Sequence, residues 1–533
     1  MGSLSRAIEY SNPIVPGFSP DPSVVFVDGT FFLCTSSFHV FPGLPIYASR
    51  DLKGWTHIGN ALNRQSQLSL KKAGTIHVTL DTGFSLVGTL GIVAPSIHYH
   101  KGTFYIVTTN TDHSGSYHCA NFIISTENIW SNKWSDPVYF DFNGIDTSLF
   151  FDDDDRVYVQ GSWMLRRDKQ PTANIKQIEI DITTGKVLSE AKEIWTGWAK
   201  YDTEGPHIYK VDGYYYLLAA EGGTFEHHML TIARSTNIWG PYESAETNPI
   251  MTADGKDEYI QNIGHGDLFQ DYDGRWWAAV LGVRKQQDGN LGLSRESFLS
   301  PVNWPSGDWP VVRQPRMNFT REASLSIVSH PPLTAPPFVE DLYIRDYDPS
   351  KYRHTDDGKT ITLTPSRTDL TSPVDTCTFL GSRQRSLDSI ASTRITVIEG
   401  PLGKNVQAGL ALYKDPIRSA YIAFDFATNS LVYSIHNSAS GLSSRISRNI
   451  IGKVEEVELR ISAAPLRYSY AAKIRLAEPG RGSEKDWFEV GSMESLALDA
   501  RDFTGPILGV FAHAGDGEAE AAEVTFKGFD FLG

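Results

Sequence analysis

Five copies of one short pattern fill the first half of this chain, and they constrain its fold more than any other feature. They read PDPSVVFVDGTFF (20–32), APSIHYHKGTFYIV (94–107), DTSLFFDDDDRVYV (146–159), EGPHIYKVDGYYYLL (204–218) and HGDLFQDYDGRWWAAV (265–280). Each opens on a polar or small residue, runs through a short apolar stretch, turns, and closes on aromatic and β-branched residues. Gly29, Gly102, Gly213 and Gly274 mark the turn in four copies and Asp155 marks it in the third. Alternation, a tight glycine turn and an aromatic return strand are the pattern of a β-hairpin. The copies start at Asp21, Ala94, Asp146, Glu204 and His265, 52 to 73 residues apart. That interval holds about four short strands, the content of one propeller blade. The spacing therefore predicts an all-β chain whose first part, residues 10–328, is a five-bladed β-propeller. Trp55, Trp134 and Trp239 recur between hairpins and are expected to pack between blades. A β-sandwich also holds many short strands but does not predict five similar hairpins at near-regular spacing.

Eleven of the twelve tryptophans precede residue 310. A proline-dense stretch at 329–339 then reads as a stiff linker, because proline fixes φ and removes a donor. Beyond it, residues 340–533 alternate as in ITLTPS (361–366) and YIAFDF (421–426), predicting an antiparallel β-sandwich of jelly-roll or lectin-like type.

The 533 residues carry a formal net charge of −15 with no long basic run. An acidic surface repels phosphate, so nucleic acid is not expected as a partner, whereas a neutral glycan is not penalised. No apolar run is long enough to span a bilayer, so no membrane partner is expected. Three scattered cysteines, Cys34, Cys119 and Cys377, fit neither a disulfide scaffold nor a thiolate zinc site. The N-terminus shows no apolar signal segment, and the sequon at Asn318 is compatible with secretion. Localisation stays open between an intracellular protein and one whose signal has been removed.

In a propeller the first strand of each blade lines the central channel, so the five starts should surround one mouth of it. Three of them are carboxylates: Asp21, Asp146 and Glu204. The alignment slips by one position between copies, so the convergence is approximate. Hydrolysis of a glycosidic bond needs one protonated carboxyl to release the leaving oxygen and one ionised carboxylate to activate water. A third acid nearby raises the pKa of the first and orients it. The competing reading of any one of these acids is a turn or capping residue. Three at the same point of a repeat argue against it.

The segments Ser19-Pro-Asp-Pro, Gly144-Ile-Asp-Thr and Glu204-Gly-Pro-His resemble the three active-site motifs of glycoside hydrolase family 43. That family contains β-xylosidases, α-L-arabinofuranosidases and arabinanases. The likeness extends through the runs at 36–55, 220–235, 264–277 and 294–304, and the stretch from Thr378 resembles the C-terminal sandwich of longer members. By matched position the resemblance implies Asp21 as general base, Glu204 as general acid and Asp146 as the residue that tunes and orients the acid. It implies Phe38 as a wall of the sugar pocket, Arg295 as a donor to sugar hydroxyls, and His228 near the substrate. His265 matches a histidine near the channel axis that in some members helps hold calcium. Calcium prefers oxygen ligands, so no cofactor is expected to be required, with a structural calcium in the channel as the open alternative. The acidic run at Asp152 lies in a hairpin turn and reads as solvated rather than as a calcium loop.

One position departs from the family. Where many members carry a tryptophan in Gly-Ile-Trp-Ala-Pro, this chain has Val93, which removes sugar-packing surface. The resemblance implies an inverting exo-enzyme, and the resulting room favours release of α-L-arabinofuranosyl side groups from arabinoxylan or related pentose glycans. A β-xylosidase acting on xylo-oligosaccharides is the alternative, and a non-catalytic carbohydrate-binding propeller is a second. Retaining fructoside-cleaving propellers carry Asn-Asp-Pro-Asn and Arg-Asp-Pro motifs, which are not present here.

Overall fold

A computed structural model describes residues 5–79, 84–113, 117–324, 332–355, 357–397, 405–477, 486–515 and 522–532. Among them there is no α-helix, only three short 3₁₀ turns. Five antiparallel sheets follow one another along the chain, each drawn from one continuous segment; in the first, Val40–Phe41 leaves the sheet to pair elsewhere. Their first strands are Ser23–Val27, Gly91–His100, Ile145–Phe151, Glu204–Val211 and Ile260–Gln270. Each of these packs against the next, and the fifth packs against the first, so the five close a ring. These are the five blades of a propeller.

The hairpins form as the repeat predicts. In blades 1, 2 and 4 a two-residue turn joins the first two strands, with Val27 opposite Thr30, His100 opposite Thr103 and Val211 opposite Tyr214. Both central residues have positive φ: Asp28 and Gly29, Lys101 and Gly102, Asp212 and Gly213. That is the type I′ geometry whose twist suits a hairpin and which favours glycine second. Blades 3 and 5 use longer turns. In blade 5 the Asp271 carboxylate fills the loop, accepting from the backbone of Asp273 and Arg275 and from the Trp277 indole.

In blade 3, Asp153–Asp155 are exposed as expected, but Asp152 departs from the solvated reading. Its side chain is only 8% exposed. It accepts from Lys210 Nζ at 2.6 Å and Tyr215 Oη at 2.7 Å, both in blade 4. The turn thus ties two blades together. Trp239 does so as well, meeting Tyr158 of blade 3 edge-on at 5.5 Å. Trp134 is buried in a cluster with Phe32 of blade 1 and Phe104 of blade 2.

Outside the blades, Ser5–Ser11 pairs residue for residue with Asn318–Ser324 and clips the two ends of the ring. The proline-rich stretch begins at Ser329; residues 329–331 of it lie outside the described residues. Its continuation is held firmly, with Tyr343 and Ile344 pairing with Phe41 and Val40 of the propeller. The Arg345 guanidinium, 1% exposed, donates to the carbonyls of Ala73, Ser372, Pro373 and Asp375.

The second part of the chain is two facing antiparallel sheets of seven and six strands. Strand Ser389–Thr396 alternates buried and less buried residues throughout, the sign of a sheet with one face in a core. Leu410, Leu459, Ile461 and Ile395 fill the space between the sheets.

Candidate active site

The five repeat starts share a backbone irregularity that explains why they hold chemistry. Asp21, Ala94, Asp146, Gly205 and His265 all lie at φ between 35° and 56°. In four blades strand pairing shifts register there, so each is a β-bulge at the entry to a channel-lining strand. A bulge re-aims a side chain, and four of these positions are not glycine, so they carry backbone strain concentrated at one mouth of the channel. The bulge of blade 4 falls on Gly205, one residue after Glu204. This is the one-position slip seen in the sequence, and it places the Glu204 side chain differently from those of Asp21 and Asp146. Gly205 also lies face to face with the His265 ring: a Cβ there would sit 3.0 Å from it.

His265 links the three acids. Its Nδ1 is 3.8 Å from Asp21 Oδ1 and 3.9 Å from Asp146 Oδ2. Asp146, Glu204 and His265 each place a polar atom within 4.8 Å of the others. Two carboxylates and one imidazole make a poor calcium set, which wants six to eight oxygens.

The three acids titrate differently for identifiable reasons. Burial pushes Asp21 up, but Arg295, His265 and the Ser36 hydroxyl outweigh it and hold the carboxyl below its ordinary value. Ser36 Oγ donates to Asp21 Oδ2 at 2.5 Å and accepts from the Ala94 N–H at 2.7 Å, so one hydroxyl joins the starts of blades 1 and 2. Asp146 is raised by burial and by the Asp21 charge, against the opposing pull of His265 and of the Gly205 N–H that it accepts. Glu204 is raised well above the ordinary range by burial, then by the charges of Asp146 and Asp202. One acid kept ionised and one kept protonated is the division of labour that acid–base chemistry at neutral pH requires.

Arg295 is buried at 6% exposure and forms the hinge between the site and the second domain. Its Nη1 lies 3.4 Å from Asp21 Oδ1 and 3.2 Å from Thr224 Oγ1. Its Nε and Nη2 both donate to the Phe503 carbonyl, at 3.2 and 3.1 Å. The adjacent Ser294 Oγ donates to Asp502 Oδ1 at 2.9 Å. Asp502 is itself held by Lys414 at 2.7 Å and by Arg418, which also pairs with Asp415; all four of these side chains are buried.

The sandwich also supplies a wall. The Phe503 ring stacks between Phe38 (5.9 Å) and Phe225 (6.1 Å). Phe38, at φ 51°, bridges to Ile92, and Val93 packs against the same cluster. Val93 and Phe503, one from each domain, thus pack against one cluster that includes Phe38. His228 is fully buried, with Nδ1 on the Asn262 carbonyl at 2.9 Å and Nε2 without a partner. Burial lowers it to about 3, so it is neutral, with Nε2 left as an acceptor.

All the residues singled out in the sequence thus lie at or beside one mouth of the channel. Those it missed are Ser36, Glu221, Thr224, Asp502 and Phe503. Glu221 is fully buried and staples the loop before Glu204 by accepting from the N–H groups of Trp198, Ala199 and Lys200. Ser36, Glu221 and Thr224 stand inside runs that resemble the family. Nothing local marks the other two.

Comparison with known proteins matches both parts of the chain. The family described as glycosyl hydrolases family 43 matches residues 10–310, and a beta xylosidase C-terminal concanavalin A-like domain matches residues 342–532. A non-reducing end alpha-L-arabinofuranosidase of Bacteroides ovatus is 31% identical over 550 residues, spanning 100% of this chain and 96% of its own. A xylosidase/arabinosidase of Butyrivibrio fibrisolvens is 38% identical over 326 residues, covering 60% of this chain and 59% of the relative. Among solved structures, a xylan beta-1,4-xylosidase from Bacillus halodurans superposes with a TM-score of 0.85 at 28% identity, covering 98% of this chain and 100% of the other.

Proposed function

The chain belongs to glycosyl hydrolases family 43, and from that premise we propose that it releases terminal α-L-arabinofuranosyl groups from arabinoxylan or related pentose glycans, with inversion. It is a glycoside hydrolase, and no cofactor is needed for the chemistry. Asp21 acts as general base, ionised because Arg295 and the Ser36 hydroxyl favour its charged form. It removes a proton from a water molecule as that water attacks the anomeric carbon. Glu204, kept protonated by burial and by the neighbouring acids, gives its proton to the departing glycosidic oxygen. The new C–O bond forms opposite the one that breaks, so the anomeric configuration inverts. Asp146 raises Glu204 by its charge and positions it by accepting the N–H of the next residue, Gly205. Arg295 and Phe38 bind the sugar; His228 is fully buried with its ring against Gly264, so instead of touching the sugar it supports the strand that carries His265.

The observation that carries the reaction class is the convergence of Asp21, Asp146 and Glu204 around His265 at one mouth of the channel, with which the lowered Asp21 and raised Glu204 agree. Support for the arabinofuranosyl preference comes from the Bacteroides ovatus relative, similar along the full chain, and from the room left by Val93. A β-xylosidase remains the second reading, favoured by the closed aromatic wall of Phe38, Phe503 and Phe225. Two assays test this. Asp21→Asn should abolish turnover of every substrate. Glu204→Gln should impair natural glycans far more than aryl glycosides with acidic leaving groups, which need little protonation. Equal losses on both substrate kinds overturn the roles. Incubation with arabinoxylan and with xylobiose distinguishes the sugars: free xylose from xylobiose with no arabinose from the polymer overturns the arabinofuranosidase reading.

A further inference from the structure

A cleft of about 1150 Å³ runs between the loops of blades 4 and 5 and the sandwich turn at 464–467. We propose that it is a binding site for the polymer that carries the scissile sugar, a β-linked xylan-type chain; this rests on the glycosidase reading above.

Three observations carry the inference. The first is continuity with the pocket. Glu226 lines the cleft and pairs with Arg501 at 2.8 Å. Two residues back, Thr224 touches Arg295, and Phe225 between them stacks on Phe503. Residues 224–226 and 501–503 are thus one partition with the sugar pocket on one side and the cleft on the other.

The second is direction. The leaving group must depart past the general acid. The loop that contains Thr224 and Glu226 abuts the loop leading into Glu204, with the Gly222 N–H donating to the Tyr201 carbonyl at 2.8 Å. A chain leaving Glu204 on that side is led towards the cleft.

The third is chemistry. Tyr259 and Leu466 are each 42% exposed and give the cleft an apolar surface on which the C–H face of a pyranose can lie. Around them, Asp257, Lys285 and Gln287 have side chains with no partner within the described residues. Their donors and acceptors remain available to hydroxyls. An aromatic face ringed by uncommitted polar groups of both signs suits a neutral polyol, and the volume exceeds that of a single-ring ligand site.

The test uses the full-length protein and Tyr259→Ala, a residue that lines the cleft and whose hydroxyl is bonded by Gln286. Two quantities are measured: kcat/KM on arabinoxylan and on 4-nitrophenyl α-L-arabinofuranoside, and equilibrium binding of linear xylohexaose. Loss of the stacking face should lower kcat/KM on the polymer about three- to tenfold and weaken xylohexaose binding equally. The aryl substrate, which has no chain to place, should be unaffected. Unchanged polymer kinetics and unchanged binding overturn the proposal. An equal loss on both substrates also overturns it, because Tyr259 would then be supporting the pocket. If the unaltered protein hydrolyses no pentoside yet binds xylohexaose through Tyr259, the cleft stands and the glycosidase specificity falls.

Discussion

Replacing Asp502 by asparagine tests whether the second domain is part of the catalytic machinery or an attachment to it. Asp502 is buried and sits between Lys414, Arg418 and Ser294. Asparagine keeps the shape and removes the charge. Arg418 retains Asp415, but Lys414 is left with Asp499 at 3.9 Å as its remaining acidic neighbour. Removing one partner of a buried ion pair costs about 3–5 kcal/mol, because the other charge stays desolvated. For a unit the size of this sandwich each kcal/mol shifts the midpoint by about 2–4 °C, so its unfolding transition should fall by about 6–20 °C. Function should suffer too. The Ser294–Asp502 bond changes from a charged to a neutral acceptor, a loss of about 1 kcal/mol, in the bend that holds Arg295 against Asp21 just before strand Glu296–Asn303. That corresponds to about a fivefold drop in kcat/KM on an aryl pentoside, measured well below the new midpoint. Arg353→Ala is the control: its pair with Glu523 is exposed, and breaking it should cost less than about 1 kcal/mol. Calorimetry and steady-state kinetics of both variants decide the matter. If Asp502→Asn melts and turns over like Arg353→Ala, the buried network does not couple the domains to the site.

Asp21 must be ionised and Glu204 protonated, so kcat/KM should rise as pH passes up through the lowered Asp21 value and fall as pH passes up through the raised Glu204 value. Asp146→Asn removes one of the charges that raise Glu204 and should move the alkaline limb to lower pH, which a pH–rate profile would show; an unmoved limb rejects the tuning role. Residues 1–328 expressed alone should be poorly soluble or weakly active, because losing Phe503 and its neighbours uncovers Phe18, Phe38 and Val40. A stable, fully active truncated propeller would contradict this.

The propeller was legible because its signals are local. Asp28-Gly29 and Asp212-Gly213 announce type I′ turns within a few residues, and the aromatic return strands follow at once. The acids were legible because the repeat placed them at equivalent points, although only the structure shows the shared left-handed bulge that makes those points special. That a C-terminal sandwich can reach the rim of the site follows from the family resemblance, but which of its residues do so was not legible. Arg295 and Phe503 lie 208 positions apart, and Asp502 reads in the sequence as one more acid in a loop. Pairing across that distance is fixed by how two domains dock, which no periodicity records. Val93 shows the consequence: the missing tryptophan reads as an opened pocket, yet Phe503 of the other domain packs against the same cluster as Val93.

The clip between Ser5–Ser11 and Asn318–Ser324 bears on how the protein is made. Every blade is drawn from one continuous segment of chain, so each can form as it leaves the ribosome. The ring cannot. Its closing partner is synthesised some three hundred residues after the N-terminal strand, which must meanwhile wait with an unpaired edge. At about 5–20 residues per second that wait lasts on the order of fifteen seconds to a minute. During it, a nascent chain with four finished blades exposes the flank of blade 1 and a lone strand, the species most open to pairing with a neighbouring chain.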